Sequence, residues 1–276
     1  MRTIVHLSDI HFGRVDYDLI EPLIAIVAEI KPDVTVVSGD LTQRAKSREF
    51  EEAREFLKRL PQPQIVVPGN HDVPLYNVFD RFIQPLDEYQ EYITDDMEPF
   101  FKDDEVAVLG INTARSFVIK GGRINEMQVA KIRERMCELD NKKTKIIVTH
   151  HPFDLPDTYH ERELVGRAKM AMEALAECGA DVLLAGHFHL SYTGHTAERY
   201  KIDGYSALVI QAGTATSTRG RGEANSFNVL KIEHPNISVQ RFQWNHKEKA
   251  FAVFKTENFL HSDEKGWLRI EDEIEK

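Results

Sequence analysis

Short apolar runs recur through this chain, each stopped by a small or turn-forming residue and then by an aspartate, asparagine or histidine. Thr3–Leu7 leads into Ser8-Asp9-Ile10-His11, and Val34–Val37 into Gly39-Asp40. Gln64–Val67 leads into Pro68-Gly69-Asn70-His71-Asp72, Lys145–Val148 into Thr149-His150-His151-Pro152, and Val182–Leu184 into Gly186-His187-Phe188-His189. Runs this short, bounded by turn residues, are buried strands. Helix-length segments lie between them. Asp18 caps an expected helix to Glu29, with Leu19, Ile20, Leu23, Ile24 and Val27 at helical spacing; Ser47–Leu60, Asn125–Leu139 and Glu163–Cys178 are the others. Strands alternating with helices predict βαβ units and an α/β fold. In such folds ligands gather where the strands end.

After Gly186 the texture changes. Tyr205–Ala212, Ser226–Glu233, Ile237–Trp244 and Ala250–Lys255 are strand-like with no helix between them, and Asp203-Gly204 and Pro235-Asn236 supply turns. Antiparallel strands are therefore expected to add a second sheet or a mixed extension. No Pro/Gly-rich linker divides the chain, so residues 1–256 read as one domain and 257–276 as a charged, solvated tail.

Composition narrows the function. Acidic residues outnumber basic ones by 45 to 35, which argues against a broad nucleic-acid-binding face. No signal-peptide core and no apolar stretch of bilayer-spanning length is present, so a soluble, cytoplasmic protein is expected, with homo-oligomerisation left open. The two cysteines, Cys137 and Cys178, fall in amphipathic helices and read as thiols in a reducing compartment. They cannot build a cysteine zinc site. The twelve histidines offer a different donor.

Carboxylate oxygen and imidazole nitrogen without thiolate suit Mn, Fe or Zn. Asp-x-His and His-x-His pairs at strand ends send both side chains the same way, because direction alternates with period two. Asp40 has the right chemistry to offer one oxygen to each of two cations. Alone, an aspartate here reads as a helix cap, and His187 or His189 as a half-buried strand-end residue. Five such motifs in order do not.

The series Asp-x-His, Gly-Asp, Gly-Asn-His-Asp, His-His-Pro and Gly-His-x-His resembles the calcineurin-like metallophosphoesterases, and within them the bacterial cyclic-AMP phosphodiesterase-like (class III) subgroup. The resemblance spans Asp9 to His189. It implies a four-layer α/β/β/α sandwich with two mixed central sheets and two divalent ions. Asp9, His11, Asp40 and His189 would hold one ion; Asp40, Asn70, His150 and His187 the other, with His151 the alternative to His150. It further implies a hydroxide between the ions as nucleophile and a protonated His71 at the leaving oxygen, with Asp40 and His71 the catalytic pair. Asp72 is expected to orient its neighbours.

Substrate contacts are expected from Asn112 and Arg115 after one strand, from His151 where it does not ligate metal, and from Arg219 and Arg221 in the loop Gly213–Gly222, whose small polar residues are suited to cradling a phosphate or sugar. Asn225 and Asn228 are expected to organise that loop. Tyr76 and Asn77 are candidates for a base or leaving group, although core packing is the plainer reading of Tyr76. The expected activity is hydrolysis of a small phosphodiester, with a cyclic nucleotide the substrate the resemblance implies. Pyrophosphate cleavage in a nucleotide-linked lipid or sugar, nuclease action and a non-enzymatic scaffold are the alternatives. Of these, the scaffold fits least, because every expected ligand type is present.

Overall fold

Val5 and Leu7 face one side of the first strand and Ile4 and His6 the other, and all four are fully buried. A strand apolar on both faces needs a layer on each side. The computed structural model, which describes residues 1–74, 83–115, 121–156, 160, 163–219, 222–262 and 266–270, supplies those layers.

In one sheet, β1 (Arg2–Leu7), β2 (Val34–Ser38) and β3 (Gln64–Val67) run parallel. On the other side of β1, β10 (Ser226–Glu233), β11 (Asn236–Asn245), β12 (Ala250–Ser262) and β13 (Gly266–Ile270) continue antiparallel. The second sheet has a parallel centre of β5 (Val106–Gly110), β6 (Thr144–Val148), β7 (Val182–Ala185) and β9 (Leu208–Gln211). Its antiparallel edges are β4 (Phe100–Lys102) and β8 (Tyr192–His195).

The sheets pack face to face through Ile4, Val36, Val67, Val108, Ile146 and Leu184. The first sheet's outer face, through Val5, Leu7 and Val37, is covered by α1 (Ile20–Ile30) and α2 (Ser47–Arg59), with α3 (Asp87–Tyr92) beside α2. The second sheet's outer face, through Ala107, Leu109 and Ile147, is covered by α4 (Glu126–Ile132) and α5 (Ala168–Glu177). This is a four-layer sandwich with two mixed sheets. The strands after Gly186 do not form a sheet of their own: β10–β13 extend the first sheet, while β8 and β9 belong to the second.

Local departures have identifiable causes. Asp16, not Asp18, is the capping residue: its side chain accepts from the Asp18 N–H at the 3₁₀ turn Tyr17–Leu19 that leads into α1, which has no side-chain cap of its own. Arg167 at φ 65° stands outside helical geometry, so α5 begins at Ala168 and not at Glu163. After α4, the chain continues as a π-helical turn to Cys137. A short helix, α6 (Ala197–Tyr200), stands ahead of Tyr205, in a stretch for which no element is predicted.

Two expectations are corrected. Cys137 and Cys178 form a disulfide joining the ends of the α4 and α5 segments, so they are not thiols. The cysteine count therefore does not carry the reducing compartment drawn from it. The boundary placed at 257 falls inside β12: Phe259 and Trp267 are 1% exposed, and Trp267 Nε1–H donates to buried Asp181. The charged residues of this segment mask an alternating strand pattern. Residues 271–276 lie outside the described residues. Among the described residues, no helix is long and apolar enough to cross a membrane.

Candidate metal centre

All five motif loops leave their strands at the same edge of the sandwich. Asp9, His11, Asp40, His187 and His189 take positive φ values of 53–76°, and they are half of the ten non-glycine residues that do so among those described. For a residue with a Cβ this backbone costs on the order of 1 kcal/mol, so its concentration here marks a constellation held against local preference. Gly39, at φ +90°, turns the chain out of β2 immediately before Asp40. At Gly186 a Cβ would stand 1.8 Å from Ser8 Oγ and 2.6 Å from Asp9 Oδ2.

The donors converge as two groups. Asp9, His11, Asp40 and His189 form one, and His150, His151 and His187 the other, with ligand atoms in each within 4.8 Å of one another. His189 Nε2 lies 3.2 Å from Asp9 Oδ1 and 3.2 Å from His11 Nε2. His11 Nδ1–H donates to the Thr42 carbonyl, which leaves the Nε2 lone pair facing the group. In the second group, His150 Nδ1–H donates to the Ser38 carbonyl at 2.8 Å, so its Nε2 is likewise free for a cation. That atom lies 3.2 Å from Asn70 Oδ1 and 3.3 Å from His187 Nδ1, which itself lies 3.0 Å from Asn70 Oδ1. Asp40 stands between the groups: Oδ1 is 3.4 Å from His150 Nε2, and Oδ2 is 3.6 Å from His11 Nε2.

The electrostatics suit cations. Burial opposes ionisation of both aspartates, yet the surrounding imidazoles outweigh it. His189 and His11 hold Asp9 below the usual carboxylate range, and His150 holds Asp40 well below it. Burial also disfavours a charged His150, but Asp40 raises it to about 9. His187 is driven down to about 3 by burial and by His150, and His189 is lowered chiefly by burial. His187 and His189 are thereby neutral beside ionised carboxylates, the states that ligate metal, whereas His150, held charged by Asp40, would have to release its proton to an arriving ion. Asp9 Oδ1 and His189 Nδ1 are buried without a hydrogen-bond partner, a costly condition that a cation at Asp9 Oδ1 would relieve there. The residues fit divalent ions.

Asp72 accepts from the N–H groups of Gly69, Leu41 and Thr42, tying the Asn70 loop to the Asp40 loop. His151 is fully buried, with Nδ1 2.9 Å from Thr113 Oγ1, and its Nε2 has no partner. His71 Nδ1–H donates to the Gln43 carbonyl at 2.8 Å, and its Nε2 accepts from Arg219 Nη1 at 3.0 Å. Burial lowers its pKa despite the pull of Asp40. The ring therefore presents a lone pair, where a protonated ring was expected.

The remaining predicted contacts separate. Arg219 lies at the site. Arg115 is turned to the carbonyls of Asn112 and Ala114 and to Gln128, and Asn112 Oδ1 caps the turn at Ala114, so both are engaged in local structure. Arg221, Tyr76 and Asn77 lie outside the described residues. Asn225 donates to the Ser217 carbonyl and Asn228 to that of Gln211, at the two ends of the 213–217 segment. Thr214, Thr216 and Ser217 are buried, so they do not face a substrate. Gln43 and Thr42, which contact His71 and His11, carry no sequence signal beyond lying just after Gly39-Asp40.

A family model described as calcineurin-like phosphoesterase matches residues 2–191. The "Probable glycerophosphodiester phosphodiesterase GpdQ" of Arcobacter nitrofigilis is 24% identical over 203 residues, covering 67% of this chain and 71% of that protein. The 3',5'-cyclic adenosine monophosphate phosphodiesterase CpdA of Escherichia coli is 23% identical over 174 residues, covering 60% of this chain and 59% of that protein. Among solved structures, a dimetal phosphatase from Danio rerio superposes with a TM-score of 0.68 at 12% identity, covering 95% of this chain and 99% of that one. A purple acid phosphatase from yellow lupin gives 0.69 at 11%, covering 93% of this chain and 53% of that one; at such identities the likeness concerns the fold. Motifs, fold and family match converge: the chain belongs to the calcineurin-like phosphoesterase family and is a metal-dependent phosphoesterase.

Proposed function

We propose that the protein hydrolyses small phosphodiesters, a cyclic nucleotide or a glycerophosphodiester among them, at a centre that holds two divalent ions. The observation that carries this reading is Asp40, whose two oxygens face different donor groups. Asp9, His11, Asp40 and His189 would hold one ion, and Asp40, Asn70, His150 and His187 the other. His150 is preferred to His151 because its Nε2 meets Asn70, His187 and Asp40 together. The oxygen-and-nitrogen donor set favours Mn, Fe or Zn. Two such ions would supply Lewis-acid stabilisation of phosphoryl charge and a water ionised near neutral pH.

The chain's own residues do the rest. Arg219 presents guanidinium N–H groups beside His71, where an anionic phosphoryl oxygen can be received in bidentate fashion. The Gln43 carbonyl fixes the His71 tautomer, so Nε2 would take a proton from solvent before passing it to the leaving oxygen. The test is metal analysis and a substrate panel: cyclic AMP, glycerophosphoethanolamine, bis(p-nitrophenyl) phosphate and p-nitrophenyl phosphate. Asp40→Ala is expected to lose bound metal and at least about a thousandfold in kcat for the diesters. A metal-replete, active variant, or wild-type activity on the monoester alone, overturns the reading.

A further inference from the structure

The segment Gly213–Arg219 looks in sequence like a polar surface loop, yet Thr214 is 2% exposed, Thr216 0% and Ser217 1%. A buried hydroxyl needs an acceptor, and those of the two threonines find theirs in the Asp9–His11 loop. Thr214 Oγ1–H donates to the Asp9 carbonyl at 2.7 Å, and Thr216 Oγ1–H donates to the Ile10 carbonyl at 3.0 Å. Between them, the Ala215 N–H donates to the Ser8 carbonyl at 3.0 Å. The segment is anchored in turn: Ser226 N–H, at the start of β10, donates to the Thr214 carbonyl, and Asp16 N–H donates to that of Thr216. Ser217 N–H donates to Thr214 Oγ1, which orients that hydroxyl toward Asp9.

On its other side, the Asp9–His11 loop is held by N–H bonds from Asp9 to the Gly39 carbonyl and from His11 to the Asp40 carbonyl. Asp9 and His11 are the two residues of this loop in the left-handed region. Their side chains reach the site only because the backbone is held there from both sides.

We propose that Thr214 and Thr216 are positioning residues of the metal centre. Their hydroxyls lock the carbonyls of Asp9 and Ile10, so that the Asp9 carboxylate and the His11 imidazole stay aimed at His189 and Asp40. The inference rests on the reading that Asp9 and His11 ligate metal. Outer-layer hydrogen-bond partners of ligands typically change metal affinity by 10- to 100-fold.

The experiment is a Mn2+ titration of the metal-stripped full chain, with thermal unfolding of the metal-free protein measured alongside. It compares the wild type with T214V/T216V, which keeps shape and removes both hydroxyls, and T214S/T216S, which restores them. The valine pair is expected to weaken one of two ions by about tenfold or more, and the serine pair to restore affinity to within about twofold. Valine variants that are less stable when metal-free but bind Mn2+ like the wild type overturn the proposal, because the threonines then serve the fold alone. If the valine pair does not fold, T216V alone is read by the same criteria. A wild type that binds no Mn2+ fails the underlying two-ion reading instead, which keeps the two failures distinct.

Discussion

Asp40 follows a glycine at φ +90° that sits against Gly69, itself packed on the Asp40 carboxylate. A methyl group at Gly39 would lie 2.7 Å from His150 Nδ1 and 2.8 Å from the Gly69 backbone. Gly39→Ala therefore combines an unfavourable φ with two collisions. It should cost roughly 2–4 kcal/mol in urea unfolding and lower metal content, whereas Gly204→Ala, at φ +68° in open space, should cost only about 1 kcal/mol. Equal losses at both positions would remove the close packing from the explanation. The motif residues were legible in sequence because strand end, glycine and ligand are adjacent in the chain. The partners of those residues were not. Nothing near Asp9 announces that Thr214 holds its carbonyl, or that the ring of His71 is shared between Gln43 and Arg219, because those contacts join loops far apart in sequence.

At the level of elements, period-two and period-3.6 patterns located most of the buried strands and the three long helices, since burial on both faces leaves an unmistakable apolar run. They failed where an element is short or half-exposed. β4 has three residues, and β13 is buried only at Gly266 and Trp267 and exposed from Leu268 to Ile270, so no period-two pattern marks it. The assignment of strands to sheets was also hidden, because periodicity says which face is buried and not which neighbour is paired. Trp267→Ala should destabilise the protein by about 3–5 kcal/mol in equilibrium urea unfolding, since it empties a core position between β12 and β13. A loss below about 1 kcal/mol would return this segment to the solvated tail expected from sequence. The disulfide makes a related prediction. Closing a loop between residues 41 apart stabilises by about 4 kcal/mol in the chain-entropy model. Reduction should lower the urea midpoint, and the denatured, unreduced protein should show no free thiol.

Across the whole molecule, each ion of the proposed pair would take ligands from both sheets. Asp9, His11, Asp40 and Asn70 follow β1, β2 and β3, while His150, His187 and His189 follow β6 and β7. A bound ion therefore ties the two sheets at one edge. At a hundredfold excess over Kd it should add about 2.7 kcal/mol per ion, and chelation should lower the Tm correspondingly. At Arg2 an ion pair also bridges the sheets, with Nε 2.5 Å from Asp103 Oδ2. Burial pushes the Asp103 carboxyl up, but the N–H groups of Val106 and Glu105 and the Arg2 guanidinium outweigh it and leave the pKa lowered. A depressed folded pKa contributes stability above the unfolded value, near pH 4, and loses it as pH falls through the folded one. Asp103→Asn should flatten the acid limb of the stability profile below about pH 4 and leave its alkaline limb unchanged.

β1 pairs with β2 on one side and with β10 on the other, and β10 also anchors the strap over the Asp9 loop. On a ribosome adding about 5–20 residues per second, Ser226 emerges on the order of 10–40 s after Leu7. Throughout that interval one edge of β1 stands unpaired beside an incomplete aspartate loop. β1 is thus finished only when β10 arrives, and until then its free edge is open to water, to a chaperone or to a transient pairing.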